Sequence, residues 1–418
     1  MRILEIIGSV DPEHGGAIEG LIRQSMVRAR RGMETHIASL DGPQAPWVLD
    51  CPVKTFGLGV GLPNFGGPLR ERYGYTPRLV PWLRDNVTDY DMVVVNGLWT
   101  YASLAARRVL TASAVPYVVF PHGMLDPWFR ASDPVKHLAK QMLWPVSEGP
   151  LLANAGAVLF TTEAEMARAR NAFWPYRVRG RVVGYGTADI EGRPATQKAA
   201  FRRAVPALAD KPFLLFLGRI HPKKGCDILL EAFAGVAAAH PRLDLVMAGP
   251  DQNGWRAALE PAARASGIAE RIHWPGMLSG DAKWGALRDC RAFVLPSHQE
   301  NFGVAVTEAL AAARPVLITD KVNICREVEA AGAGMVSGDN AAGVGLMLRD
   351  FLSLSADATE RMEKAARACF LARFEISIAV DGLCAALAEV KKSGPAARGG
   401  RLAGQRRGRV RQGASIEP

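Results

Sequence analysis

The sequence lacks the features that would place a protein in a membrane or outside the cell. No stretch of its 418 residues reaches the roughly 18 consecutive apolar residues that a membrane-spanning helix requires. The N-terminal segment meets Glu5 before any long apolar run, which argues against a secretory signal. The six cysteines lie far apart without a Cys-x-x-Cys pair, as is typical of reduced thiols. We therefore expect a cytoplasmic protein without a metal site.

The positive charge of the sequence is concentrated at its C-terminus. Of the net charge of +10, residues 391–418 contribute +7, which leaves +3 for the rest of the chain. The Arg-, Gly- and Ala-rich segment 393–418 has too few apolar residues to form a core, and we predict a disordered basic tail there. Contact of this tail with anionic lipid or RNA stays open. The nearly balanced body predicts no specific nucleic-acid partner.

Short apolar runs alternate with helical patterns along most of the chain. This alternation is typical of an α/β fold with parallel sheets, and the length suggests two domains of about 200 residues each. The pattern is interrupted where Gly184-Tyr185-Gly186 and Pro194 occur without a long apolar run. We predict an N-terminal domain over residues 1–185, a linker over 186–210 and a C-terminal domain over 211–375. A final helix would follow over residues 376–392.

Polar residues follow the predicted strands, at the edge where parallel sheets bind ligands. Gly15 and Gly16 precede the first helix and could let an anion approach its amides, although a simple turn explains such a pair equally well. His122 follows a later strand and could contact a sugar hydroxyl or a phosphate. The sequence has neither Gly-x-Gly-x-x-Gly nor a P-loop at the first helix, which counts against a dinucleotide dehydrogenase and a P-loop kinase.

Two loops of the second half combine cations, carboxylates and a helix start. Arg219 and Lys224 share a short loop after a strand and suit a diphosphate, whereas we expect the neighbouring Lys223 in solvent. Glu300 lies on a second loop, and Glu308 lies in the helix that follows, where it could also compensate the helix dipole. We expect the helix start to bind phosphate or sugar through the amides of Asn301, Phe302, Gly303 and Val304.

With these motifs the sequence resembles the retaining glycosyltransferases of family 4. The resemblance lies in the segment from Gly218-Arg219 to Ala232-Phe233, in the Glu-x7-Glu pattern of residues 300–308 and in Arg314-Pro315-Val316. It extends from Gly15-Gly16 to about residue 385, and the segment 121–128 is similar to bacterial members that build surface polysaccharides. The chain departs from the family at Gly184-Tyr185-Gly186, where Pro-Asn-Gly is frequent, and at Ala313, where glycine is usual.

The resemblance implies a GT-B fold, with two Rossmann-like domains that face each other across a cleft. It implies that the N-terminal domain binds the acceptor, that the C-terminal domain binds the donor, and that the last helix crosses back to the first domain. It also assigns roles. The diphosphate would contact Gly16, Arg219 and Lys224, and the ribose would contact Glu308. The donor sugar would contact His122, Glu300 and the amides of residues 301–303. The base would contact Gly276 and Met277.

The expected activity is a retaining, metal-independent transfer of a hexose from a UDP- or GDP-sugar to a hydroxyl group. The acceptor would be a saccharide or a lipid-linked saccharide in polysaccharide or glycan biosynthesis, and the donor would be a substrate, with no further cofactor. A lipid-linked acceptor would make the protein peripheral at the inner face of the plasma membrane. Two alternatives stay open: a nucleotide-sugar 2-epimerase of the same fold, and a non-catalytic nucleotide or polyanion binder.

Overall fold

The structure is a computed structural model that describes residues 1–12, 16–60, 73–128, 130, 133–251 and 254–394. It confirms the predicted α/β class, because two domains are each built on a parallel sheet, of seven and six strands. Gly15 and residues 395–418 of the predicted tail lie outside the described residues.

The first sheet has the order β3-β2-β1-β4-β5-β6-β7 and is parallel throughout. Its central strand β4 is a run of Met, three Val and Asn that is buried along its whole length, because helices cover both faces of the sheet. The strands are β1 Arg2–Ile7, β2 Glu34–Ser39, β3 Thr55–Gly57, β4 Met92–Asn96, β5 Tyr117–Phe120, β6 Ala157–Phe160 and β7 Gly180–Val182. The helices are α1 Gly16–Arg30, α2 Pro46–Leu49, α3 Leu79–Asn86, α4 Tyr101–Leu110, α5 Pro134–Leu143, α6 Glu148–Asn154 and α7 Glu163–Ala169.

The second sheet has the order β10-β9-β8-β11-β12-β13, with β8 and β11 as its apolar centre. Its strands are β8 Phe213–Leu217, β9 Asp244–Ala248, β10 Ile272–Gly276, β11 Ala292–Leu295, β12 Val316–Thr319 and β13 Gly334–Ser337. The helices are α8 Pro194–Ala204, α9 Cys226–Ala237, α10 Arg256–Ala265, α11 Gly280–Asp289, α12 Val304–Ala311, α13 Cys325–Ala330, α14 Ala341–Leu352, α15 Ala356–Cys369 and α16 Ile376–Ser393.

Both sheets reverse their strand order once, between β1 and β4 in the first and between β8 and β11 in the second. At such a switch point the loops after the two strands diverge to opposite sides and leave a crevice beyond the strand ends. The crevice of the second sheet therefore lies between the loop after β8 and the loop after β11. These are the two loops on which the sequence places Arg219, Lys224 and Glu300.

One segment, the expected linker, differs from the expected domain organisation. Most of the expected linker 186–210 belongs to the second domain, because it contains α8, whose buried Phe201 packs on Phe213 with 5.1 Å between ring centroids. The helix α16 runs to Ser393 and packs on the first domain, where Val380 lies against Val27 of α1. Among the described residues, no helix has the length and apolar content needed to cross a membrane.

Candidate functional site

The loops after β8 and β11 touch each other at the switch point of the second sheet. Gly225 has a φ of +64°, and a Cβ atom at this position would lie 2.1 Å from the carbonyl oxygen of Pro296, so the approach requires glycine. The Lys224 ammonium forms an ion pair with the Glu300 carboxylate, and the two side chains are only 15% and 18% exposed. The sequence thus predicted two residues that the fold brings into direct contact.

Arg219 lies on the same loop after β8 as Lys224 and is exposed. It makes no hydrogen bond or ion pair with any other described residue, so its guanidinium donors are available to a ligand. The Lys224 ammonium, by contrast, is already paired with a carboxylate. An incoming diphosphate would have to compete with Glu300 for it.

Lys223 is not in open solvent, and the expectation for this residue was wrong. Its ammonium lies 5.4 Å from the ring centroid of Trp128, which belongs to the first domain. Burial lowers the pKa of Lys223 to about 8, and the neighbouring Lys224 and Arg219 contribute to the decrease. The aromatic ring that covers this lysine comes from the other domain, and the local sequence gives no indication of that contact.

Glu308 lies on the buried side of α12 and binds a residue that sequence analysis did not identify. Its carboxylate accepts a hydrogen bond of 2.7 Å from the Lys283 ammonium, which α11 supplies. Burial raises the pKa of Glu308, while the positive charge of Lys283 opposes the increase. The carboxylate lines a cleft with Glu19 and Arg23 of α1, so this end of the site also borders the first domain.

The start of α12 separates the Glu300 pair from the Glu308 pair. Among the described residues, the backbone N–H groups of residues 301–304 have no hydrogen-bond acceptor, as expected for a first helical turn. These are the amides of Asn301, Phe302, Gly303 and Val304, which the sequence analysis predicts to bind phosphate or sugar. The side chain of Phe302 is buried and packs edge-on against Tyr185, with 5.2 Å between ring centroids, so it is available to a ligand only through its backbone.

His122 is held by a chain of buried polar contacts in the first domain. Its Nε2 lies 2.9 Å from the amide oxygen of Asn96, and the amide nitrogen of Asn96 donates to Glu5 at 2.7 Å. Arg28 donates to the other carboxylate oxygen of Glu5 at 2.6 Å. Because a carboxylate only accepts hydrogen bonds, Asn96 must turn its oxygen toward His122, and Nε2 of His122 therefore carries a proton.

The same surroundings decide what His122 can bind. Its ring stacks on Phe120 at 4.2 Å, and burial lowers the pKa of His122 to about 4. The ring is therefore neutral at physiological pH, with a lone pair on Nδ1. Its φ of 50° is rare for a residue with a side chain, and such strained conformations concentrate at functional sites. A neutral acceptor suits a sugar hydroxyl and offers no charge to a phosphate.

Contacts across the domain boundary bring the His122 loop to the second domain. Gln299 donates to the carboxylate of Asp126 at 2.9 Å. Gly123 approaches Asn301 so closely that a Cβ atom there would lie 2.8 Å from Cγ of Asn301. The backbone N–H of Gly123 donates to the buried carboxylate of Glu165 at 2.8 Å, which fixes the loop from behind. His122 and Glu300 therefore border one seam.

The remaining predicted residues are Gly276, Met277, Gly15 and Gly16. Gly276 ends β10, the edge strand of the second sheet, and Met277 beside it is 62% exposed. Gly16 is the first residue of α1, and Gly15 lies outside the described residues. Within the described ranges, no three His, Cys, Asp or Glu side chains are grouped so as to bind a metal ion.

Two of the residues that sequence analysis missed had a recognisable pattern. Asn96 ends β4 at the switch point of the first sheet, so the rule that identified His122 applies to it as well. Glu5 is a charged residue within an apolar strand, which is rarely compatible with burial unless a partner is present. Lys283 lies on an ordinary helix, and only the fold places it beside Glu308.

Comparison with known proteins finds two glycosyltransferase families, each matching a different part of the chain. The family described as "Glycosyl transferases group 1" matches residues 197–369. The family described as "Glycosyl transferase 4-like domain" matches residues 24–186. The two matches fall on the second and the first domain respectively.

Curated relatives align with part of the chain. A D-inositol 3-phosphate glycosyltransferase of Streptomyces avermitilis is 29% identical over 214 residues, which cover 49% of this chain and 46% of that protein. The protein of the same name from Thermobispora bispora is 39% identical over 133 residues, or 30% of each chain. The chain thus spans less than half the length of these curated relatives.

Solved structures share the fold over nearly the whole chain. Sucrose-phosphate synthase from Thermosynechococcus elongatus has a TM-score of 0.75 at 18% identity, covering 94% of this chain and 99% of that chain. HepE of Anabaena, solved in complex with UDP and glucose, has a TM-score of 0.72 at 18% identity, with coverages of 93% and 99%. At this identity the likeness establishes the two-domain architecture alone.

Proposed function

Since the chain belongs to the group 1 glycosyltransferases of the GT4 type, we propose that it transfers a sugar from a nucleoside diphosphate donor to a hydroxyl group. The observation that carries the proposal is the cluster of Arg219, Lys224 and Glu300 at the switch point of the second sheet. The cluster faces the His122 loop of the first domain. HepE, which shares the fold, binds UDP and glucose, and this supports a UDP-sugar as donor, with a GDP-sugar as the other candidate.

Donor binding would proceed by an exchange of charged partners. The diphosphate would take the Lys224 ammonium from Glu300 and recruit Arg219, whose planar donors match phosphate oxygens. The carboxylate of Glu300, released from Lys224, would then accept hydrogen bonds from the donor sugar. At the other end of the α12 start, Glu308 would accept hydrogen bonds from the ribose, and the free amides between them would bind phosphate.

The proposed reaction retains the anomeric configuration and uses no metal. The bond between the anomeric carbon and the diphosphate oxygen breaks, and the acceptor oxygen bonds to that carbon on the same face. The acceptor proton passes to the leaving diphosphate. The charge that develops on the diphosphate would be stabilised by Arg219, Lys224 and the helix start, which are oriented before the reaction begins. His122, neutral and strained, would accept a hydrogen bond from the donor sugar.

The acceptor would be a saccharide hydroxyl, free or linked to a lipid, in the synthesis of a polysaccharide or another glycan. The curated relatives are named as D-inositol 3-phosphate glycosyltransferases, which supports a polyhydroxylated acceptor. A lipid-linked acceptor would place the protein at the inner face of the plasma membrane as a peripheral protein.

The Arg219→Ala variant tests this function. Arg219 is exposed, and its side chain makes no hydrogen bond or ion pair with the described residues, so its replacement should leave folding intact. We expect transfer from UDP- or GDP-sugars to slow by about a hundredfold to a thousandfold, since losing one preorganised donor costs about 2.7–4 kcal/mol. The matched control is Arg242→Ala. Arg242 is also exposed, but it precedes β9 and so lies at the amino-terminal ends of the strands, away from the loops that carry Arg219 and Glu300.

Product analysis separates transfer from its alternatives. A new glycoside that forms only when acceptor is present supports the proposal, whereas an epimerised donor formed without acceptor would identify an epimerase. Unchanged turnover in Arg219→Ala, or equal losses in both arginine variants, would contradict the assignment of Arg219. Nucleotide binding without any turnover across a panel of donors and acceptors would favour a non-catalytic binder.

A further inference from the structure

The helix α5 has an apolar face that is exposed throughout. Val135, Leu138 and Met142 lie three and four residues apart, on one side of the helix, and no residue of α5 is buried. We call these side chains and their neighbours the α5 patch. Its members are 57–80% exposed and comprise Val135, Leu138, Met142, Leu143, Val146 and Trp174.

The opposite face of α5 is attached to the domain, which fixes the direction of the patch. His137 stacks on the buried Phe173 with 4.8 Å between ring centroids. The side-chain amide of Gln141 accepts a hydrogen bond from the backbone N–H of Trp174 and donates one to its carbonyl oxygen. These contacts hold the backbone of Trp174 beside α5, and the apolar side of the helix faces outward.

Exposed cations outnumber exposed carboxylates in the segment that carries the patch. Lys136 is exposed on the flank of α5, and Arg130 and Lys140 are close enough to His137 to lower its pKa. Among the described residues between 130 and 181, the exposed carboxylates are those of Asp133 and Glu163, since the other two are buried. Further exposed cations of this segment are Arg170, Arg177 and Arg179.

We propose that the α5 patch docks the protein on an anionic lipid surface. Aliphatic side chains on one helix face, a tryptophan at the border and flanking cations are the composition of helices that lie in a lipid interface. The patch is a single convex helix side, and a lipid surface accepts such a shape without a complementary groove. A nucleic acid would pair with the cations but would leave the aliphatic side chains in water.

Docking through α5 would also orient the cleft. The helix follows closely on the loop that carries His122 and Asp126, so the first-domain side of the seam would lie toward the lipid. This consequence rests on the proposed transfer to a lipid-linked acceptor. The docking itself does not, since it depends only on the patch and its charges.

Vesicle sedimentation with the full chain tests the docking. We expect binding to vesicles of phosphatidylcholine and phosphatidylglycerol, weaker binding in high salt, and little binding to phosphatidylcholine alone. The double variant Leu138→Glu, Met142→Glu should lower the partition coefficient about tenfold or more, because carboxylates are repelled by anionic lipid and do not enter its apolar layer. Lys136→Gln should lower it about fivefold, the equivalent of one surface cation. The matched control is Leu346→Glu, at a leucine that is 54% exposed on a helix of the second domain.

The outcomes are distinguishable from those of the transfer assay. Hydrolysis or transfer of a water-soluble donor and acceptor should be unchanged in the double variant, which also checks its folding. If the double variant retains wild-type affinity for the vesicles, the basic tail or another surface carries the binding and the proposal is wrong. The proposal is also wrong if the wild-type chain does not bind anionic vesicles at low salt. It is wrong as well if the chain forms a dimer that the double variant abolishes, since a second copy would then cover the patch.

Discussion

Lys283 should set the pH at which Glu308 becomes a carboxylate. Burial raises the pKa of Glu308, and the Lys283 ammonium, 2.7 Å from the carboxylate, holds the increase in check. The variant Lys283→Met keeps an apolar stem of similar length but removes the charge. We expect the pKa of Glu308 to rise further, because burial and the charge of Glu19 then act against the weaker opposing charge of Arg23 on α1.

The size of the change follows from the contact that is lost. A hydrogen bond to a charged group contributes about 1.5–3 kcal/mol, and one pKa unit corresponds to about 1.4 kcal/mol, so the pKa should rise by about one to two units. A carboxyl group with a raised pKa in the folded state binds a proton more tightly there than in the unfolded chain. The free energy of unfolding therefore falls as the pH rises through that pKa, and it should fall further in Lys283→Met than in the wild type.

Calorimetric titration of UDP and GDP over a pH series measures the effect on the site. If ionised Glu308 binds the ribose, affinity decreases below its pKa, and the midpoint of that decrease should move up by about one to two units in Lys283→Met. Comparing variants with one ligand cancels the titration of the ligand's own phosphates. Glu308→Gln should remove this decrease, and Lys364→Met, which breaks a surface pair with Glu360, should leave it in place. An identical midpoint in wild type and Lys283→Met would refute the reasoning.

Two further substitutions test local features of the structure. Asn96→Leu removes the acceptor for His122 Nε2–H and a donor to Glu5. We therefore expect slower transfer, and a free energy of unfolding in urea that is lower by about 1–3 kcal/mol. Unchanged values for both would show that this chain of contacts is not needed. Ala313→Gly should raise the free energy of unfolding by about 0.5–1 kcal/mol, because the φ of 57° is strained for alanine and unstrained for glycine. Thermal unfolding measures this gain. The control Ala312→Gly, at a φ of −76°, should instead destabilise the protein. Equal shifts of the unfolding temperature in both variants would contradict the idea that Ala313 is strained.

The sequence alone predicted the two-sheet architecture, since central strands such as β4, β5 and β8 are apolar runs that local composition makes visible. The short edge strands β3 and β7, of three residues each, have too little pattern to be recognised. The sequence also placed Arg219, Lys224 and Glu300 on loops after strands. That placement follows from the order of residues along the chain. A residue that directly follows a parallel strand lies at the carboxyl ends of the strands, whichever position that strand has in the sheet.

Tertiary structure decided which of those side chains meet and what charge they carry. Glu5 and Asn96 are 91 residues apart, and Lys283 and Glu308 are 25 apart, so no local pattern links them. Burial of Lys223 under Trp128 and of His122 against Phe120 exists only once the chain has folded. Ionisation depends on removal from water and on neighbours brought from distant segments, and both are properties of the folded arrangement that the order of residues does not contain.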